Sequence, residues 1–267
     1  MFIVWFFTVH YILSIFCQTF FLHRYGAHRM FTMNKFWERC FHFLTYISQG
    51  ASYLNPRAYA LLHRLHHAYS DTRRDPHSPS QFSNVFVMMW ATKNRYERFC
   101  QRLEQLDDRF EGGYPEWPLV DNIGFRRLSI FAWVSFYTAI YLAFATVWWQ
   151  WLLLPVQFLM GPLHGAIVNW CGHKYGYRNY AVSDDSRNTL FFDIATMGEL
   201  FQNNHHRFCS DPNFAKRWFE IDPCFLVIRG LAMLRIVKLN AVQAPYICDG
   251  ISEELSWGVQ LPNAKEA

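Results

Sequence analysis

The chain has 267 residues, of which 52% are hydrophobic and 19% aromatic, and its formal net charge is +4. Its apolar residues occur in long uncharged blocks, which is typical of membrane proteins rather than soluble domains. Cytoplasmic loops facing anionic lipid account for the small basic excess, so a nucleic-acid partner is not expected. The seven cysteines form no CxxC pair, which argues against a disulfide framework and a zinc ribbon.

Three apolar segments predict membrane-spanning helices, at about residues 1–22, 128–148 and 151–171. The first segment has neither a basic leader nor a small-residue cleavage site, so we expect it to be retained rather than removed as a signal peptide. The other two are separated by a tryptophan-rich turn at Trp148–Trp151. Basic residues lie mainly outside the spans, within residues 24–127 and 174–238, which places these segments on the cytoplasmic side.

Histidines recur in four segments beside these helices. The segments read HRYGAH at 23–28, HRLHH at 63–67, NWCGH at 169–173 and NNHH at 203–206. His63, His66 and His67 fall on one side of a regular helix. His23 and His28 are about 140° apart on such a helix, so they share a face only if it is loosened there. Each segment alone also fits a basic interfacial cluster, but their recurrence favours metal binding.

Eight imidazoles in these segments exceed what one ion binds, so two metals are implied. Imidazole suits zinc, copper, iron and nickel, and ligand type does not choose among them. Two redox-active irons would suit oxygen activation, whereas two zincs would suit hydrolysis in a polar, wet cleft. The choice between these two kinds of metal site depends on the residues around the histidines, and those residues are mainly apolar.

The stretch at about residues 35–54 is apolar but has charged residues in its first half. If it crossed the bilayer, the first histidine pair would be separated from the others, so we expect an amphipathic helix lying along the interface. Residues 1–240 then form one all-α membrane domain. Its cytoplasmic cap comprises about residues 55–127 and 172–240. Residues 241–267 form a peripheral tail.

Several polar residues near the histidines are candidates for supporting roles. Asp71 and Asp75 follow the central cluster and are candidates for orienting ligating imidazoles, although a turn or capping role fits equally. Asn169 lies four residues before His173 and faces the same way. His164 points to the opposite side of that helix, so it joins the site only if Pro162 distorts the backbone.

These four motifs, in this order and spacing, resemble the membrane fatty acid desaturases of the acyl-CoA (stearoyl-CoA type) Δ9 class, over roughly residues 1–240. The resemblance implies a mushroom-shaped helical protein that binds two irons on the cytoplasmic side of the membrane, the inner membrane in a bacterium. It implies the ligands His23, His28, His63, His66, His67, His173, His205 and His206. It also implies oxygen-dependent insertion of a cis double bond into a saturated acyl chain, with Asn169 holding a water on one iron.

Two departures from the family pattern concern the site. The third histidine box usually begins with histidine, but here that position is Gln202, so its carbonyl, His164 or a water has to complete one iron. Leu61 and Leu62 occupy the positions of an Arg-Asp pair that contacts coenzyme A in the animal enzymes. The acyl carrier therefore stays open between coenzyme A, an acyl carrier protein and a lipid. Members of the family usually have four spans, whereas this sequence predicts three.

The chain contains no glycine-rich dinucleotide fingerprint, no iron–sulfur cysteine pattern and no haem motif, so we expect a separate electron donor. The family allows a ferredoxin or a cytochrome, each with its reductase, and an acidic donor would be attracted to the basic cytoplasmic segments. Two other functions remain as alternatives. One is a related diiron lipid hydroxylase, and the other is a non-catalytic metal-binding membrane protein.

Overall fold

A computed structural model describes residues 1–242. The prediction for the tail therefore lies almost entirely outside the described residues. The described chain is mostly helical. Its helices are α1 (Phe2–Cys17), a π-helix (Gln18–Ala27), α2 (Lys35–Gln49), α3 (Pro56–Tyr69), α4 (Val85–Cys100), α5 (Pro118–Phe125), α6 (Arg127–Phe144), α7 (Leu153–Phe158), α8 (Met160–Gly172), α9 (Gln202–Arg207) and α10 (Pro223–Met233), with short 3₁₀ turns at Gly50–Ser52, Asp108–Phe110 and Trp148–Leu152.

Two helices are long and apolar enough to cross a membrane, Phe2–Ala27 and Arg127–Phe144. The third predicted span is a bent pair, Trp148–Phe158 and Met160–Gly172, which meet at 77°. Pro162 lies in the first turn of α8, where proline is tolerated, rather than inside a continuous helix. The described residues thus contain two continuous spans, and three if the bent pair counts as one, which is compatible with the predicted number.

The first span ends in a π-helix, which brings its two histidines onto one face. In a π-helix the backbone N–H bonds to the carbonyl five residues earlier, and the N–H of His28 donates to the carbonyl of His23 at 3.0 Å. Residues five apart therefore lie nearly above one another. This is the loosening that the spacing required. Gly26 allows close packing, since an added Cβ would lie 3.3 Å from Pro115.

Helix α2 has 15 residues and is about 22 Å long, which is too short to cross a hydrocarbon core of about 30 Å. It begins at Asn34, whose side chain accepts a hydrogen bond from the N–H of Trp37, and it packs against α1. It ends at Gly50, which has a φ of +51°. A Cβ at Gly50 would lie 1.8 Å from the hydroxyl of Tyr137 on α6, so this turn requires glycine.

The residues outside the spans form a cap that packs around the π-helix and α3. Buried Arg64 fixes this contact through hydrogen bonds to the carbonyls of Gly26, Ala27 and Phe110 at 2.7–3.1 Å. The all-α prediction missed one small ribbon, in which β1 (Phe31–Met33) pairs antiparallel with β2 (Val237–Leu239). Each strand has three residues, too few for a local sequence pattern to reveal.

Candidate metal centre

Five histidines, here called group A, bring their side-chain nitrogens together at the end of the first span. Each offers a ring nitrogen within 4.8 Å of the others, and the members are His23, His28, His63, His67 and His205. Nε2 of His205 lies 3.1 Å from Nε2 of His23 and 3.0 Å from Nε2 of His67. Nε2 of His28 lies 2.7 Å from Nε2 of His63. So many imidazole nitrogens converging on one point form a donor set suited to a cation.

Three further histidines, His66, His173 and His206, form group B next to group A. The ring centroids of His67 and His206 are 4.5 Å apart, so the two groups adjoin. Nδ1 of each member faces a carboxylate. His173 lies 2.9 Å from Asp71, His66 lies 2.9 Å from Asp75, and His206 lies 2.8 Å from Asp184.

The carboxylates decide which nitrogen of each group B imidazole carries the proton. An ionised carboxylate only accepts hydrogen bonds, so each Nδ1 carries a proton, and in the neutral form of the ring Nε2 has the lone pair. The Nε2 atoms of His66, His173 and His206 are buried and have no hydrogen-bond partner among the described residues. Buried polar atoms without partners are rare in proteins. Three such lone pairs directed into one site are what a metal ion requires.

These carboxylates are ionised despite their burial. Burial opposes ionisation of Asp71, but the hydrogen bond from His173 outweighs it and lowers the pKa to about 2. Burial also disfavours charged Asp75 and Asp184, yet attraction to His66 and His206 holds both pKa values well below their ordinary range. Such carboxylate–histidine pairs fix the ring orientation of metal-ligating histidines.

Group A has one carboxylate, Glu199, which lies 2.5 Å from Nδ1 of His23. The hydroxyl of Thr19 donates to the same carboxylate, and the buried Arg24 guanidinium is 4.0 Å away. Arg24 also pairs with Asp222 at 2.9 Å and lies over the ring of Phe214. Thr19, His23 and Arg24 all lie on the π-helix, so Glu199 is held by three side chains of that one element.

Four of the five histidines of group A are neutral at neutral pH. Burial, together with the neighbouring histidines, lowers the pKa values of His28, His63, His67 and His205 well below the usual value for histidine. Metal binding requires neutral imidazole, so no protons have to be displaced from these rings at neutral pH.

Three other predicted site residues, Asn169, Gln202 and His164, are not members of either histidine group. Asn169 is half-buried and lies on α8, the helix that is capped at its C-terminus by His173. The amide of Gln202 donates to the carbonyl of Glu199 at 2.6 Å, and its side chain packs against Gly172. His164 is buried but belongs to neither group. It lies toward Glu199 and Asp193 instead.

Sequence reasoning missed three residues of this centre. Asp184 and Glu199 were not singled out, because nothing in their local sequence connects them with histidines far along the chain. His77, two residues after Asp75, was not among the predicted site residues either. It is buried, its ring centroid lies 4.6 Å from that of His66, and neither of its ring nitrogens has a partner among the described residues. The density of histidine and aspartate in 63–77 was the available signal.

Comparisons with known proteins identify the family of this chain. A family model described as fatty acid desaturase matches residues 2–231. The Delta-9 desaturase-like 5 protein of Arabidopsis thaliana is 33% identical over 233 residues, covering 83% of this chain and 71% of the relative. An acyl-CoA 5-desaturase of Anemone leveillei is 29% identical, covering 85% and 68%. Delta-9 acyl-lipid desaturase 1 of Arabidopsis thaliana is 27% identical, covering 79% and 66%. The chain belongs to the fatty acid desaturase family and is an oxidoreductase that acts on fatty acyl chains.

Proposed function

We propose that this membrane protein inserts a cis double bond at the Δ9 position of a saturated acyl chain, using molecular oxygen, two iron ions and electrons from a separate protein. The observation that supports this best is the pair of adjoining histidine groups, buried and directed at two neighbouring points. The apolar spans leading into the groups favour the oxidative chemistry of iron over hydrolysis.

The residues fit two irons. Group A would hold one ion and group B the other, with open positions in group B, where only three imidazoles converge. Iron would supply the activation of oxygen that removal of hydrogen from an unactivated methylene requires. The protein's own residues hold the ions, orient the imidazoles through Asp71, Asp75, Asp184 and Glu199, and keep water away from them.

The Δ9 position and the carrier go beyond what family membership gives. Among the relatives, two are named for the Δ9 position and one for the 5 position, and their names include both acyl-CoA and acyl-lipid desaturases. The motif resemblance favours Δ9. Coenzyme A, an acyl carrier protein and a membrane lipid all remain candidate carriers, because Leu61 and Leu62 replace the residues that contact coenzyme A in animal enzymes.

The electron donor is proposed to be a ferredoxin or a cytochrome with its reductase, docking on the cytoplasmic side. Exposed arginines of the cap would attract an acidic donor, and among them are Arg73 and Arg74 in the turn between Asp71 and Asp75. That turn carries the two carboxylates that contact group B. A donor bound there would lie close to the site.

Expression in a host that lacks desaturases tests the proposal. We expect a new monounsaturated acyl chain whose double bond, located by mass spectrometry of its dimethyl disulfide adduct, lies at carbon 9. Comparing acyl-CoA, acyl carrier protein and phospholipid pools shortly after labelled stearate is added identifies the carrier. A hydroxylated chain in place of the monoene would favour the hydroxylase alternative, and a double bond elsewhere would refute the Δ9 assignment.

A further inference from the structure

Residues 190–195, here called the apolar loop, expose large hydrophobic side chains outside the three spans. The exposed fractions are 38% for Leu190, 61% for Phe191, 60% for Phe192 and 68% for Ile194. Four such residues in five positions form a contiguous apolar surface rather than the scattered exposure that is normal for soluble regions. This surface therefore needs a partner.

The loop lies beside the apolar part of the first span. The hydroxyl of Tyr11 on α1 donates to the carbonyl of Ala195 at 3.4 Å. Tyr11 is about 10 Å along the helix from Gln18, on the side away from the histidine groups. Gln18 lies at the start of the π-helix that carries His23, and its amide donates to the carbonyl of Gly161. The apolar loop thus extends beyond Gln18 along the first span, beside residues that are expected to lie in the bilayer.

The polar groups of Asp193 are satisfied within the protein. Asp193, between the exposed residues, is fully buried and accepts hydrogen bonds from the N–H groups of Thr196 and Leu200 at 2.9 and 2.7 Å. Its carbonyl accepts from the N–H of Gly198, and the N–H of Thr189 donates to the carbonyl of Leu200. A buried carboxylate at membrane depth is tolerated only where the protein satisfies it in this way.

Aromatic residues lie where the apolar loop meets the rest of the cap. The ring of Phe191 stacks on Tyr177, with centroids 5.2 Å apart, and also contacts Phe219. Trp218, next to Phe219, is 94% exposed. Tryptophan and tyrosine concentrate at the headgroup level of membranes. Trp218 at the headgroups and Ile194 beside Tyr11 would then lie at different depths.

We propose that the apolar loop is inserted among the acyl chains of the bilayer, so that lipid is the partner of its exposed surface. The loop runs directly into Glu199 and α9, which carry the carboxylate of group A and two of the histidines. Membrane insertion of the loop therefore anchors the segment that closes the metal centre. This inference is independent of the reaction that the centre catalyses.

Depth-dependent fluorescence quenching tests this proposal. Single cysteines at positions 194 and 218, in a background without other cysteines, are labelled with bimane, and the protein is placed in phosphatidylcholine nanodiscs. The matched control is Leu103→Cys, because Leu103 is 65% exposed yet sits between Arg102 and Glu104, which form ion pairs with other cap residues. Phe192→Cys replaces Ile194→Cys if the latter does not fold.

At position 194 or 192 we expect lipid bearing a 12-doxyl group to quench about twofold or more strongly than aqueous iodide, with the reverse order at position 103. At position 218, a headgroup nitroxide should quench most strongly. Iodide quenching at position 194 equal to that at position 103 would place the loop in water and overturn the proposal. Protection from both quenchers would show that protein covers the loop, and would overturn it equally.

Discussion

Replacing Asp184 with asparagine should weaken the metal site of group B without unfolding the protein. The Asp184 carboxylate lies 2.8 Å from Nδ1 of His206, and only 11% of its side chain is exposed. Asparagine is nearly isosteric, and its carbonyl can still accept the Nδ1 proton, so the ring keeps its tautomer. The negative charge is lost, together with the second acceptor oxygen that takes the N–H of Ser186. Removing such a partner typically costs 10- to 100-fold in metal affinity, or about 1.4–2.7 kcal/mol.

The assay is competition for iron between the protein and a chelator, followed by metal analysis of each variant. The matched control is Asp185→Asn. Asp185 is the exposed neighbour, and only its backbone N–H contacts the site, by donating to Asp71. We expect Asp184→Asn to lose one iron at lower chelator concentration than the parent protein, whereas Asp185→Asn should match the parent. Equal iron retention in all three proteins would refute the assigned role of Asp184.

Three other changes have expected outcomes. His205→Ala should lower metal affinity at group A at least about tenfold in the chelator assay, whereas His164→Ala, buried but outside both groups, should retain both metals. Gly50→Ala should destabilise the protein by about 1–3 kcal/mol in thermal unfolding, because its Cβ would strike Tyr137, while Gly112→Ala, with positive φ but open space, should cost less. Turnover at limiting donor should fall as salt rises; turnover unchanged up to several hundred millimolar salt would contradict electrostatic docking of the donor.

The sequence predicted the features that depend on local patterns. Long uncharged blocks marked the three apolar segments. The charges in the first half of 35–54 left that stretch ambiguous, and the need for the histidines to converge argued against a fourth span there, where α2 has only 15 residues. The HRLHH motif placed its three histidines on one side of α3 because helix periodicity is regular there. The break between α7 and α8 was harder to predict from the sequence, because a proline such as Pro162 is compatible both with a kink and with the first turn of a new helix.

The π-helix marks a limit of sequence reasoning. A five-residue spacing between His23 and His28 is unfavourable on an α-helix, and the sequence alone shows only that something must change. The change is stabilised from a distance, by Arg64 on α3 donating to the carbonyls of Gly26 and Ala27. Because these partners are about 37 residues apart, no periodicity within the segment encodes the contact.

The glutamine at position 202 has a further consequence for the charges of the centre. Gln202 has no imidazole, and its amide donates to the backbone carbonyl of Glu199, while His164 lies outside group B. Group B therefore gains no fourth imidazole from either residue. Group A has five imidazoles and one carboxylate, which lies near the Arg24 guanidinium. Group B has three imidazoles and three carboxylates. With fewer nitrogen ligands, group B relies more on negative charge to hold a cation, and for this reason loss of charge at Asp184 should be felt strongly there.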